Sequence, residues 1–396
     1  MLPISKMAAA VQPSATLAAG AKARQLKLEG KTVYDFSLGE PDFNTPKHIC
    51  DAGYKAMLDG HTHYTAAAGI AELRGAIVRW YKKTYGYDFT PEQVVVSNGA
   101  KHSLHNALAA TVGPGDEVII PTPYWVSYSD LVQMTGAAYS LVKTTEANGF
   151  KLTPAQLRAA VTPRSRLVML NSPSNPTGSV YTRAELEALA DIALEKNLGV
   201  ISDEIYEQLV FGSAKATCFA TLRPGLADNL ITISGVSKSY AMTGWRMGWA
   251  IAPLHVAKAM GNVQSQETSN PSSISQYAAL AALDGDSACV ETMRKEFEAR
   301  RDLVCKRLND LPGIRCPIPD GAFYAFFNVE SYFGKTLRGH LITDSTSFCA
   351  AALATVHVNM VQGAAFGAEG YVRLSFATSR EQINKGIDKL AEFLAG

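Results

Sequence analysis

Cysteine is scarce and scattered. Cys50, Cys218, Cys289, Cys305, Cys316 and Cys349 form no CxxC pair, and no histidine cluster accompanies them. That argues against a disulfide framework or a zinc site and for a reducing compartment. Neither sign of charge is in excess: 37 Lys+Arg against 36 Asp+Glu leave a formal net charge of +1. Composition therefore gives no reason to expect nucleic acid or an anionic membrane as partner. No apolar run approaches the length needed to span a bilayer. The alanine-rich start is broken by Gln12, Pro13 and Ser14, which makes a poor signal-peptide core. The first acidic residue is Glu29, so a transit peptide is compatible, but a cytoplasmic protein is the expectation. Repeats, charge blocks and low-complexity linkers are missing too, although 396 residues suffice for two or three domains' worth of core.

What is present is alternation. A helix over 14–29 and a short strand over 32–37 precede a turn-rich loop, SLGEPDFNTP. Helical stretches then fall near 47–59, 69–85, 100–111, 124–135, 153–160, 182–196 and 253–267. Between them lie β-rich runs at 94–97, 117–120, 139–142, 167–170, 199–202, 230–234 and 249–252. Strands and helices in that order predict βαβ units and a mainly parallel seven-stranded sheet flanked by helices, an α/β fold. Thr153-Pro154-Ala155-Gln156 and Thr182-Arg183-Ala184-Glu185 fit the capping box, as does Thr378-Ser379-Arg380-Glu381 before the last helix. Beyond about residue 280 the order changes: a long helix at 288–308, a strand at 322–328, a helix near 343–356 and a strand at 371–376. A large domain over 46–280 and a smaller α+β domain over 281–396 are expected. Residues 1–45, too few to bury a core alone, are expected to pack on the smaller domain.

Ligands of such sheets gather beyond the carboxyl ends of the strands, so those ends carry the functional reading. The stretch ITISGVSKSYAMTGWRMGW sets Lys238 in the turn after a buried strand, where a desolvated lysine can attack a carbonyl as a Schiff-base nucleophile. Arg246 offers a planar fork for a phosphate, and Ser237 or Ser234 a hydroxyl. Gly99, Ala100 and Lys101 open a helix whose backbone N–H groups suit an anion. Trp125 presents a face for stacking and Asn175 a side-chain amide in a proline-locked loop. Asp203, directly ending a strand, needs a cation, and Tyr206 points a phenol into the same space. Arg373 interrupts the apolar strand YVRLSF and needs an anionic partner, from the protein or a ligand. Singly, each has a structural reading: a surface lysine, a core tryptophan, a helix-capping aspartate. Together they describe a flat pyridine ring carrying a phosphate, an aldehyde and a phenolic oxygen, which is pyridoxal 5'-phosphate.

These stretches, with QPSATLAAGAKARQL, HYTAAAGIAELR, PYWVSY, NSPSNPTG, SDEIYE and VRLSFATS, run in one order from Val11 to the end. In them the chain resembles the class I aminotransferases of pyridoxal-phosphate fold type I, in particular the bacterial aspartate aminotransferase-like subgroup. The resemblance implies a homodimer with active sites at the subunit interface. It implies that Lys238 carries the cofactor, Asp203 faces the pyridinium, and Tyr206 and Asn175 bind the ring oxygen. Trp125 would stack, and Arg373 would clamp the substrate's α-carboxylate. Tyr64 would reach the phosphate of the other subunit's cofactor, Gly39 would line the substrate pocket, and Lys101 would meet a distal carboxylate. That favours aspartate and glutamate as donors in a ping-pong exchange with a 2-oxo acid.

Two positions depart from the pattern. Many relatives have a phosphate-binding serine three residues before the lysine, where this chain has Gly235. Relatives that accept prephenate tend to have a basic residue where this chain has Gln12. An aromatic or prephenate aminotransferase and a β-lyase on the same scaffold are the alternatives. A cofactor-sensing regulator is a further one, but it would be expected to carry a DNA-binding extension, for which the stretch before Val11 leaves no room.

Overall fold

The computed structural model describes residues 2–396. Seven strands make the main sheet: β1 (Val94–Asn98), β2 (Glu117–Thr122), β3 (Ala138–Lys143), β4 (Ser165–Asn171), β5 (Gly199–Asp203), β6 (Leu230–Gly235) and β7 (Met247–Ile251). Their spatial order is β1-β7-β6-β5-β4-β2-β3. Every pairing is parallel except those of β7, which runs against both β1 and β6. An antiparallel return needs no crossover helix. The segment joining β6 to β7 is thus free to be an irregular loop, and it carries both Lys238 and Arg246.

β6 and β7 are buried throughout, as their near-continuous apolar sequences require of strands covered on both faces. Helices Ala100–Thr111, Ser127–Met134, Pro154–Ala160 and Arg183–Glu195 lie between successive parallel strands. Thr153 and Thr182 close capping boxes with Gln156 and Glu185. At the last helix, Arg380–Leu394, the cap is Ser379 rather than Thr378; its hydroxyl accepts from the Gln382 backbone N–H.

A second, antiparallel sheet has three strands, β8 (Tyr324–Asn328), β9 (Val361–Gln362) and β10 (Tyr371–Ser375), in the order β9-β10-β8. It shares a core with helices Ala288–Asn309, Ser345–Val356 and Arg380–Leu394. Tyr34–Asp35 pairs in parallel with Val358–Asn359, which ties the amino-terminal segment to this part of the molecule.

Some elements differ from the sequence reading. The helix expected over 124–135 begins only at Ser127, leaving Trp125 on the loop. The strand over 32–37 shrinks to two residues. Helices Lys6–Ala10 and Ser273–Asp284 were not anticipated. The second, SISQYAALAALD, is wedged between helices Lys47–Leu58 and Ala71–Tyr85, so small residues on several sides replace the polar stripe that marks a surface helix. Among the described residues no helix is long and apolar enough to cross a membrane, and no three His, Cys, Asp or Glu side chains are grouped to hold a metal ion.

Candidate active site

One cavity of about 650 Å³ opens over the carboxyl edge of the main sheet. Its wall gathers Gly39, Ala100, Lys101, Trp125, Asn175, Asp203, Tyr206, Ser237, Lys238, Arg246 and Arg373. Topology explains the convergence. β1, β2, β4, β5 and β6 all end at this edge, and the antiparallel β7 begins there just after Arg246. Arg373 comes instead from β10 of the smaller sheet, so the cavity lies where the two sheets' cores meet.

Lys238 donates from Nζ to the Gly39 carbonyl at 2.5 Å and sits 5.9 Å from the ring centres of Tyr206 and Phe323. Loss of solvent brings its ammonium down to about 8. Arg246 and Arg373 push the same way, against Glu40 and Asp203. Asp203 is 4% exposed and burial raises it to about 6, held in check by the Tyr128 hydroxyl, the Ile205 N–H and Lys238. Tyr128 donates to Asp203 Oδ2 at 2.6 Å. Asp203 caps no helix: its Oδ1 accepts from the Ile205 N–H at 3.3 Å, within the turn that brings Tyr206 round.

Arg373 is 1% exposed and meets no carboxylate. Its Nη1 donates to Asn175 Oδ1 at 2.9 Å and its Nη2 to the Ser37 carbonyl at 2.7 Å, while Nε has no partner. Burial pulls its proton affinity down, opposed by the nearby Tyr324 and Tyr206 phenols. A buried guanidinium without an anion is costly, and it lines the cavity. Tyr324 lies against it, ring centre 4.5 Å from the guanidinium carbon, and shares a 2.8 Å hydrogen bond with the Tyr206 hydroxyl.

At the other end Gly99, with φ +87°, opens helix Ala100–Thr111. A Cβ there would stand 2.5 Å from Arg246 Nη2, so glycine lets the guanidinium lie against the helix start. Arg246 itself holds φ +56°, an uncommon conformation, and its guanidinium donates to the Thr243 and Asn98 carbonyls. Lys101 points its Nζ over the Trp125 ring, 4.9 Å from the centroid.

Three expected residues, Gly99, Ser234 and Tyr64, do not line the cavity. Ser234 is buried with its hydroxyl donating to Glu207 Oε1 at 2.7 Å, on the side of β6 away from the cavity, so Ser237 is the serine that remains for an anion. Gly235 has its own reason: a Cβ would come within 2.8 Å of the Met247 carbonyl, where β6 and β7 separate. Tyr64 is 88% exposed on a loop outside this cavity. Conversely, Tyr128 and Tyr324 were missed. Tyr128 had a signal in PYWVSY, an aromatic at a helix start beside a strand end; Tyr324 had none, as its partner lies 118 residues away.

The atoms present suit a flat, anionic ligand. Helix N–H groups, Ser237 and Arg246 make an anion-binding end, Trp125 a planar wall, and Asp203 a buried acceptor. Lys238 supplies an amine of lowered basicity, and Arg373 a buried guanidinium for a second anion. Fold and cavity together define an α/β enzyme of the aminotransferase type. The sequence profile described as Aminotransferase class I and II matches residues 31–390, and the chain belongs to that family. It is 47% identical over 395 residues to the aspartate/prephenate aminotransferase of Cereibacter sphaeroides, covering 99% of each chain. Against the aspartate aminotransferase of Geobacillus stearothermophilus it is 45% identical over 391 residues, covering 99% of this chain and 98% of the other. Among solved structures, the Rhizobium meliloti aspartate aminotransferase superposes with a TM-score of 0.96 at 41% identity, covering 100% of this chain and 99% of that one. The Thermus thermophilus aspartate aminotransferase with maleate gives 0.94 at 38%, covering 99% and 100%.

Proposed function

We propose that this aminotransferase uses pyridoxal 5'-phosphate to move the amino group of aspartate or glutamate to a 2-oxo acid in two half-reactions. The observation that carries the reading is the buried, anion-free Arg373 facing the same cavity as Lys238. When bound, the cofactor supplies an aldehyde and an electron-accepting ring that stabilises negative charge at the substrate's α-carbon.

The protein's own groups do the rest. Arg373 grips the α-carboxylate through a planar fork and so fixes the α C–H bond towards Lys238. Lys238 Nζ, its affinity for protons lowered by burial, takes the α-proton as general base. With the cofactor bound, Asp203 would meet the ring nitrogen as a carboxylate, Tyr206 and Asn175 would bind the ring oxygen, and Trp125 would cover the ring. Gly99, Ala100, Ser237 and Arg246 would hold the phosphate. Tyr64, too exposed to serve its own cavity, belongs to the partner's site in a cytoplasmic homodimer.

For the substrate's distal carboxylate the cation is Lys101, beside Trp125. The Thermus relative is described with maleate, a four-carbon dicarboxylate, in support of an acidic substrate. A second reading, the larger dicarboxylate prephenate, is favoured by the continuation of the cavity beneath helix Ala15–Leu28, where Arg24 and Lys27 line it.

The test is the absorbance of the purified, cofactor-loaded protein. L-aspartate is expected to bleach the band of the aldehyde form, and 2-oxoglutarate to restore it. A band that aspartate leaves untouched removes the substrate assignment, and turnover without a second oxo acid points to a lyase. Lys101→Ala is expected to lower kcat/KM for aspartate roughly fivefold while sparing monocarboxylic amino acids, since one exposed charge pair is worth about 1 kcal/mol.

A further inference from the structure

Asp203 is buried at the end of β5, where a carboxylate loses most of its solvation. What keeps it charged is therefore a question about its donors. On its own turn there is one weak donor, the Ile205 N–H at 3.3 Å, and the acidic neighbour Glu204, with Tyr206 and Glu207 a little further on. From the β6–β7 loop comes Lys238, which leaves as a charge partner once it carries the cofactor. From the helix that follows β2 comes the Tyr128 hydroxyl, 2.6 Å from Oδ2.

Tyr128 is built for that one contact. It is 2% exposed, and its backbone N–H bonds the Trp125 carbonyl at 2.9 Å. Its ring stands edge-on to the Trp125 indole, centroids 5.5 Å apart at 88°. Burial and the neighbouring carboxylate hold its phenol well above the usual range, so it stays a donor.

We propose that Tyr128 is a positioning residue which fixes Asp203 Oδ2 and holds the carboxylate ionised, leaving Oδ1 to face the cofactor's ring nitrogen. The proposal rests on the assignment of Asp203 to that nitrogen. A hydrogen bond to the charged form of an acid favours that form, and without it a buried carboxyl takes up a proton more readily. A protonated Asp203 would no longer stabilise a cationic ring nitrogen.

Tyr128→Phe removes one oxygen. Tyr85→Phe is the control, because Tyr85 also donates to a buried carboxyl group, Glu207 Oε2 at 3.2 Å, outside the cavity. Apoprotein is titrated with pyridoxal phosphate from about pH 5 to 9, and the complex with ring-¹⁵N cofactor is read by nitrogen NMR. Tyr128→Phe is expected to weaken binding roughly tenfold at neutral pH, the size of one charge-assisted hydrogen bond. It is also expected to move the acid limb of the profile upward and shift the ring nitrogen towards its unprotonated signal. Tyr85→Phe is expected to match wild type in both. In an Asp203→Asn background, Tyr128→Phe is expected to add little. A Tyr128→Phe protein with wild-type affinity, profile and nitrogen signal overturns the proposal, as does an equal change in Tyr85→Phe. A wild type that takes up no cofactor overturns the proposed function as well, so the two failures are distinct.

Discussion

Five consecutive residues, Asp203-Glu204-Ile205-Tyr206-Glu207, split between two environments. Asp203 and Tyr206 line the cavity; Glu204 and Glu207 lie buried outside it. All three carboxyls are raised chiefly by burial, to about 6, 7 and 8 respectively. The order follows the company each keeps. Asp203 has the Tyr128 hydroxyl and Lys238 to favour its charge. Glu204 accepts from Ser202 and from the Phe219 N–H, but its other oxygen has no partner and Asp203 pushes it up. Glu207, bonded to Ser234 and Tyr85, is pushed up by both Glu204 and Asp203. The fold thus favours ionic charge where a ligand can use it, and of the acids behind, Glu207 is held furthest towards its neutral form.

If that division is right, removing charge costs function on the cavity side and little or nothing behind it. The largest effect is expected from Asp203→Asn, which keeps the shape and loses the anion. Its kcat for transamination should fall about 10³-fold, the scale of one preorganised electrostatic contact. Steady-state kinetics with aspartate and 2-oxoglutarate measures this, with a melting curve as control. A nearly normal kcat would mean that the ring nitrogen needs no charge here, and the contrast between the two sides would lose its point.

Next in size is Arg373→Lys. A lysine keeps the charge but not the fork, and kcat/KM for aspartate is expected to drop about a hundredfold, mostly through KM. The native guanidinium bonds only neutral groups, Asn175 and Ser37. A loss of melting temperature with KM unchanged would therefore assign Arg373 to structure instead.

Much of the cavity side was legible because function there breaks local sequence rules. A lysine after a largely apolar strand and an arginine inside YVRLSF are conspicuous against the pattern of a buried sheet. The side away from the cavity was not legible. Ser234 reads as a free hydroxyl until Glu207, 27 residues earlier, is seen to take its proton donor. Gly235 reads as a lost phosphate ligand until the Met247 carbonyl is found where a Cβ would go. Tyr128 was hidden by a boundary: beginning the helix at 124 instead of Ser127 changes which side chains face the sheet edge. In each case the deciding partner is a tertiary neighbour, which periodicity and turn chemistry do not report.

The smallest effect, and the sharpest check on the comparison, belongs to Glu207→Gln. The native carboxyl titrates near 8, whereas its unperturbed value is 4.5. Between those values the folded protein keeps a proton that the unfolded chain has released. Stability from this group is therefore fully present below about pH 4.5, declines as pH rises, and is lost once pH passes about 8. Glutamine cannot titrate, so it removes that decline. The variant is expected to melt close to wild type at about pH 5 and a few degrees above it near pH 8.5, since 1 kcal/mol moves a large domain by about 2–4 °C. Its kcat at neutral pH should stay within about twofold of wild type, because Glu207 does not face the ligand. Melting curves of both proteins across this range make the measurement. A difference that stays flat with pH would mean that Glu207 is already ionised in the fold, and that charge on this stretch is not sorted by side at all.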